Sequence, residues 1–258
     1  MFFSLWRPDL ALGLLFLLAL LAVVQRRRRQ AGAPPESPWT WLWLTLGLAG
    51  IYVAQGTPLD YLGEHYLFML HMVQHFLLTM VAPPLLLLGL PQWLLRPLFA
   101  WRPLRAVAGV LLRPLVAVML FNLLFSLYHL PGLYQAGLAH PAVHFAEHVL
   151  LILSALIAWW PIASPLLEQR LSEGLGLLYI FIFSAGQLAV YALITFADGV
   201  IYPWYEQAPR ISWISAKQDQ IYAGIIMNMG MMLVCGIALL LVYGRWARRE
   251  DAESPPVP

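Results

Sequence analysis

Charge is scarce in this sequence. Only 11% of its 258 residues are Asp, Glu, Lys or Arg, against the quarter usual in a soluble globular domain. With 61% hydrophobic residues and a mean hydropathy of +0.72, the chain belongs with membrane proteins. Lysine occurs once, as Lys217, and no basic stretch has the polarity of a nucleic-acid-binding face, so nucleic acid is excluded as a partner. Cysteine also occurs once, as Cys235, which rules out an intramolecular disulfide, a CxxC redox pair and a thiolate cluster. No internal repeat is evident. A cleavable signal pattern is missing too, because the charge around the first apolar run, Leu10 to Val24, comes after it as Arg26 to Arg29. That segment reads as a retained first helix with its N-terminus outside.

What the sequence does have is apolar runs of ~17 residues or more, enough to span a bilayer. They fall at 8–25, 39–55, 65–90, 106–128, 141–161, 175–197 and 219–243. The expected fold is therefore an all-α polytopic bundle of about seven transmembrane helices in a single domain, 1–258. A flexible cytoplasmic tail is expected at 246–258, ending in DAESPPVP. With the N-terminus outside, twelve of the fifteen basic residues fall on the cytoplasmic side, and only Arg7, Arg210 and Lys217 on the other. The positive-inside rule then places the C-terminus in the cytoplasm.

Under that topology all seven histidines lie in or beside the outer half of the bundle. The third span begins HYLFMLHMVQHF, with His71 ~9 Å and His75 ~15 Å below His65 at ~1.5 Å per residue. The fifth begins HPAVHFAEH, with His144 ~6 Å and His148 ~12 Å below His140. Each span thus carries an i,i+4 imidazole pair on one face, at matching depth. His129 ends the fourth span beside them, with Asn122 two turns below it on the same face. Ionisable groups within a bilayer mark functional pathways, and paired imidazoles suit copper, zinc, nickel or haem iron. Satisfied interhelical hydrogen bonding is the plain alternative for the pairs, and an interfacial role is the plain alternative for His65 and His140.

Other residues enter with a dual reading. Glu147 adjoins His148 as a weak ligand or as the carboxylate that fixes a tautomer. Asp198 and Asp219 lie on the histidine side as ligands or docking residues, with helix capping the alternative for Asp219. Met227, Met231 and Cys235 form an i, i+4, i+8 stripe that could carry Cu(I) or simply fill core space. HFAEH at 144–148 matches the H-x-x-E-H protease signature, but that signature needs a third ligand and an open cleft.

Four stretches resemble one family. HMVQHFLLTMVAPPLLLLGLP (71–91), YHLPGLYQAGLAHPAVHFAEHVLLILSALIAWWPI (128–162), ITFADGVIYPWY (194–205) and DQIYAG (219–224) look like the signature of the multi-span CtaG-type cytochrome c oxidase assembly factors. The resemblance covers most of the third to seventh spans. It implies a multi-pass protein of the bacterial plasma membrane, not an enzyme, that supplies copper to the catalytic subunit of a haem-copper oxidase. Its partners would be oxidase subunits, a periplasmic copper donor and membrane lipid. By position, the family's histidine motifs fall on His71, His75, His129, His144 and His148, and its outer acidic positions on Asp198 and Asp219. Three rival readings stand beside it. One is a haem b redox protein using the paired histidines, one an intramembrane zinc hydrolase, and one a metal-free scaffold. If imidazoles hold copper, protonation competes with the metal, so copper binding falls below about pH 6. Metal occupancy measured across a pH series checks this, and undiminished occupancy at pH 5 counts against histidine ligation.

Overall fold

The computed structural model describes residues 2–253. All regular structure among them is helical. In chain order the helices are α1 (Pro8–Gln30), α2 (Pro38–Gly56), α3 (Pro58–His65), α4 (Phe68–Gly89), α5 (Gln92–Ala100), α6 (Arg102–Leu111), α7 (Pro114–Tyr128), α8 (Pro131–Ala139), α9 (Pro141–Ala163), α10 (Glu173–Phe196), α11 (Pro203–Gln207) and α12 (Ala216–Glu253). Proline opens many of these helices, where its missing N–H removes nothing. Ser37 and Thr57 cap α2 and α3, accepting from Trp39 N and Leu59 N at 3.3 Å each.

Among the described residues, five helices are long and apolar enough to cross a membrane: α1, α4, α9, α10 and α12. The count becomes six if α6 and α7, which meet at 75°, form one broken span. The expected continuous helix at 106–128 breaks because Arg113 precedes Pro114 and takes an extended conformation (φ −62°, ψ 130°). The expected second span is helical, but threonines, glycines, Gln55 and three tryptophans dilute its 19 residues, and it is not among the five. Two further boundaries move. The third span starts at Phe68, and His65 closes the separate helix α3. The last helix runs past 243 to Glu253, so the tail is helical over 246–253, and 254–258 lie outside the described residues.

Helix α4 is central, packing against α2, α3, α9 and α12. Between apolar helices in an apolar solvent, close backbone approach and van der Waals contact replace the hydrophobic drive. The buried positions accordingly alternate small residues (Ala54, Ala82, Ala155, Ala158, Ala223) with large ones (Phe68, Met72, Phe121, Phe125, Leu151, Phe183). At Gly89 a Cβ would collide with the backbone of Leu44, so α2 and α4 touch main chain to main chain there.

The two ends of the bundle differ in chemistry. At one, Arg28 lies over the Trp93 ring, Arg96 pairs with Glu168 at 3.3 Å and Arg249 with Glu173 at 3.6 Å. At the other gather the buried histidines, α3 and the N-terminus, where Arg7 N donates to Gly56 O at 2.9 Å. Replacing Gly89 with alanine must push α2 off α4, at a cost of roughly 1–3 kcal/mol for an overpacked core position. Thermal unfolding in detergent should show a lowered midpoint for Gly89→Ala. Gly109→Ala, where a Cβ meets nothing within 4 Å, should leave the midpoint level or raise it, since alanine in a helix interior stabilises by about 0.5–1 kcal/mol. Equal behaviour of the two variants would refute the packing account.

Candidate metal centre

The histidine cluster is built on an irregularity in α4. Pro83 and Pro84 each clash with the carbonyl four residues back. The helix widens into a π turn at Leu77–Val81 just before them. The Thr79 carbonyl is taken up from outside the helix by Trp159 Nε1 of α9 at 3.0 Å. Thr79 Oγ1 in turn donates to His75 O at 2.7 Å. The turn therefore ties α4 to α9 directly below the histidines.

His71 and His75 face each other across one helical turn, with their Nε2 atoms 2.9 Å apart. His144 and His148 on α9 lie alongside, their ring centroids 4.1 Å apart and 5.2 and 5.8 Å respectively from the ring of His71. His75 is 5.2 Å from His148 and 5.7 Å from His129, centroid to centroid. Ligating nitrogens of His71, His75 and His148 all fall within 4.8 Å of one another. All five rings are buried.

Hydrogen bonds fix which nitrogens are open. A carbonyl only accepts, so His129 Nδ1 donates to Phe125 O at 2.7 Å and its Nε2 is left as a bare lone pair. His144 Nδ1 lies 2.7 Å from Glu64 Oε1, which likewise turns a bare Nε2 inward. Gln55 Nε2 lies 3.0 Å from His148 Nδ1. With its amide turned over, Oε1 accepts from that nitrogen and frees His148 Nε2 as well. Nε2 of His129, His144 and His148, and Nδ1 of His71 and His75, are buried with no hydrogen-bond partner. Such orphaned nitrogens are costly unless something occupies them. Two nitrogens on one tetrahedral ion sit about 3.3 Å apart at metal–nitrogen distances of ~2.0–2.1 Å, so a few tenths of an ångström would open the His71–His75 pair around a metal.

Helix α3 lies over the cluster. A Cβ on Gly63 would come 2.8 Å from His71 N, so only glycine allows this approach, which brings Glu64 to His144. Asp60, one turn earlier, accepts from Gln74 Nε2, which also donates to Ala54 O at 2.9 Å. Burial, together with the nearby Glu64 carboxylate, pushes the Asp60 carboxyl up to about 6. The 202–205 segment clamps the arrangement: Trp204 Nε1 donates to Glu64 O (2.8 Å), Tyr205 OH to Gly63 O (2.9 Å) and Tyr202 OH to His129 O (2.7 Å). Tyr134, 5.3 Å from the His71 ring, completes an aromatic cover with Phe68.

The structure thus brings together His71, His75, His129, His144 and His148. His65 and His140 are exposed. Asn122, expected on the His129 face, packs against Gly186, where α10 is interrupted between Ala185 and Leu188. Glu147 points at Gly137 of α8, and the carboxylate that orients a histidine is Glu64. Asp198 is exposed. Asp219 is fully buried and caps α4, accepting from Phe68 N at 2.8 Å and Met69 N at 2.9 Å, which leaves its oxygens committed to backbone. Met227, Met231 and Cys235 are buried in the main core cluster. Glu64, Gln55, Gln74 and the tyrosines escape sequence reasoning. The one available signal was the acidic heptapeptide LDYLGEH directly before the third span.

The model of one protein family, described as cytochrome c oxidase caa3 assembly factor, matches residues 17–249. No curated protein and no solved structure matches the chain.

The Asp60 environment carries its own consequence. An acid whose folded value lies near 6, above its ordinary 3.8, holds an extra proton in the folded state between those values. Its contribution to stability therefore falls as pH rises from about 4 to about 6 and is level beyond. Asp60→Asn should raise the thermal midpoint relative to the parent more at pH 7 than at pH 4. Melting curves at the two values decide it, and an equal offset at both would contradict the burial account.

Proposed function

We infer the role of this chain from the cytochrome c oxidase caa3 assembly factor family, to which it belongs over most of its length. We propose that it holds copper as cargo at His71, His75 and His148, flanked by His144 and His129, and releases it to the catalytic subunit of the oxidase during assembly. The observation that carries this reading is the convergence of three buried imidazoles whose ligating nitrogens lie within 4.8 Å of one another, with unpartnered nitrogens on the two flanking rings. Imidazole suits copper, and a cluster of neutral donors in an apolar bundle binds a cation without fixing a counter-charge beside it.

The fit extends to transfer. Delivery needs ligand exchange, not bond-breaking chemistry, so surplus donors help: a fourth and a fifth imidazole can take the ion as others let go. The histidine end of the bundle faces outward in this reading, in the bacterial plasma membrane, since the arginine-rich end is the one that the positive-inside rule retains in the cytoplasm. A periplasmic donor would then load the protein and an oxidase subunit would unload it. Membrane lipid covers the exposed apolar flanks, including Phe16, Leu115 and Phe181.

Metal analysis of the purified chain tests the proposal. Copper should accompany the parent protein and be lost from His71→Ala/His75→Ala, and the preparation should show no Soret band. Copper content unchanged by the double replacement would sink the assignment, and a Soret band would support haem ligation instead. Unimpaired oxidase assembly with His71 and His148 both replaced would favour a metal-free scaffold.

A further inference from the structure

We propose that Glu64 is a positioning residue that makes His144 the intermediate ligand through which a cuprous ion reaches the His71/His75/His148 site; this rests on the copper reading above. Exposure falls stepwise along this line. The Glu64 side chain is 25% exposed, His144 is 7% exposed, and His71, His75 and His148 are 1%, 4% and 3% exposed. Glu64 is thus the group on the path that touches both the surface and the cluster.

The bonding gives the path a direction. Glu64 Oε1 holds His144 Nδ1 at 2.7 Å, so the ring cannot turn that nitrogen inward. Its other nitrogen, Nε2, is buried and has no partner, and the His144 ring lies 4.1 Å from His148 and 5.2 Å from His71, centroid to centroid. The carboxylate also raises the basicity of the imidazole it binds, as it does behind histidine ligands generally. His144 does not belong to the converging group of three, so an ion bound there is one ligand exchange away from that group and still within reach of the mouth.

Glu64 is held in this position through its backbone, and of its two carboxylate oxygens Oε1 meets His144 while Oε2 lies 3.9 Å from the exposed His65 Nδ1. The Trp204 indole and the Tyr205 hydroxyl grip the carbonyls of Glu64 and Gly63, which leaves Oε1 to serve His144. Glu64 does not itself hold the metal here, since a hard carboxylate is a poor partner for a soft cuprous ion. It acts through the histidine.

The test uses the full chain in detergent and a chromogenic cuprous chelate as the sole metal source, with loading followed by bleaching of the chelate. E64Q is expected to slow loading about 10–100-fold, the range by which losing such a partner lowers metal affinity or activity, while the final copper stoichiometry matches the parent. In an H144A background, adding E64Q should slow loading no further, because the two changes act through one group. E64D, which keeps the charge, should recover part of the rate. Parent-like loading by E64Q, or the same slowing with and without His144, overturns the inference and leaves the copper reading standing. A parent protein that takes up no copper at all overturns that reading and this inference with it.

Discussion

Everything at the histidine end depends on one constraint, that an imidazole buried among apolar helices must have a partner for each nitrogen or suffer for the lack. Five rings are buried within a few ångströms of one another, and the chain provides second partners for only part of their nitrogens. Phe125 O, Glu64 and Gln55 each hold one nitrogen of His129, His144 and His148. The nitrogens left over, Nε2 of those three rings and Nδ1 of His71 and His75, are buried without a partner. A cluster evolved for packing alone would be expected to close these bonds, because a buried donor or acceptor without a partner costs about 1–3 kcal/mol. Five open nitrogens gathered on five neighbouring rings are costly, and on the copper reading proposed above a bound cation would offset part of that cost.

That arrangement follows from a few local irregularities. The prolines of α4 force the π turn that anchors it to Trp159, so the two histidine-bearing helices are tied at a fixed relative height. Asp219 takes the free N–H groups at the start of α4, which lets that helix begin within a buried setting without loose donors. Gly63 brings α3 down onto His71, and with it the carboxylate that orients His144. Each device is a break in regular structure, placed where a regular helix would carry the side chains past one another.

Much of this was legible in the sequence and some was not, for a definite reason. Helical periodicity is local, so His71 with His75 and His144 with His148 could be placed on single faces from spacing alone. The apolar runs located five candidate membrane helices, and the departures there are a break at Pro114 and a tryptophan-rich second helix less apolar than the others. What spacing could not supply was the partner across the bundle. Asp219 reads as a cap for its own helix and instead caps one that starts 151 residues earlier. Glu64 sits in an eight-residue helix with no period long enough to show. Asp198, singled out for its charge in a matched motif, stays exposed, whereas the aromatic residues of the same motif hold the site shut.

The same geometry weighs on the rival chemistries. Haem held between α4 and α9 would need two imidazoles on opposite sides of a flat slot. His71, His75 and His148 have their ligating nitrogens within one 4.8 Å sphere, so a macrocycle between any two would run into the third. A hydrolytic zinc site would need a carboxylate free to take a proton from bound water. Here Glu64 is engaged by His144 Nδ1, Asp60 by Gln74, Asp219 by the α4 backbone, and Glu147 faces away against Gly137. With the acids committed and the imidazoles open, the arrangement favours the proposed holding and exchange of a cation over the activation of water. A carrier of the kind proposed would gain from that poverty, because an ion that meets only neutral nitrogens can leave by the same exchange that brought it in.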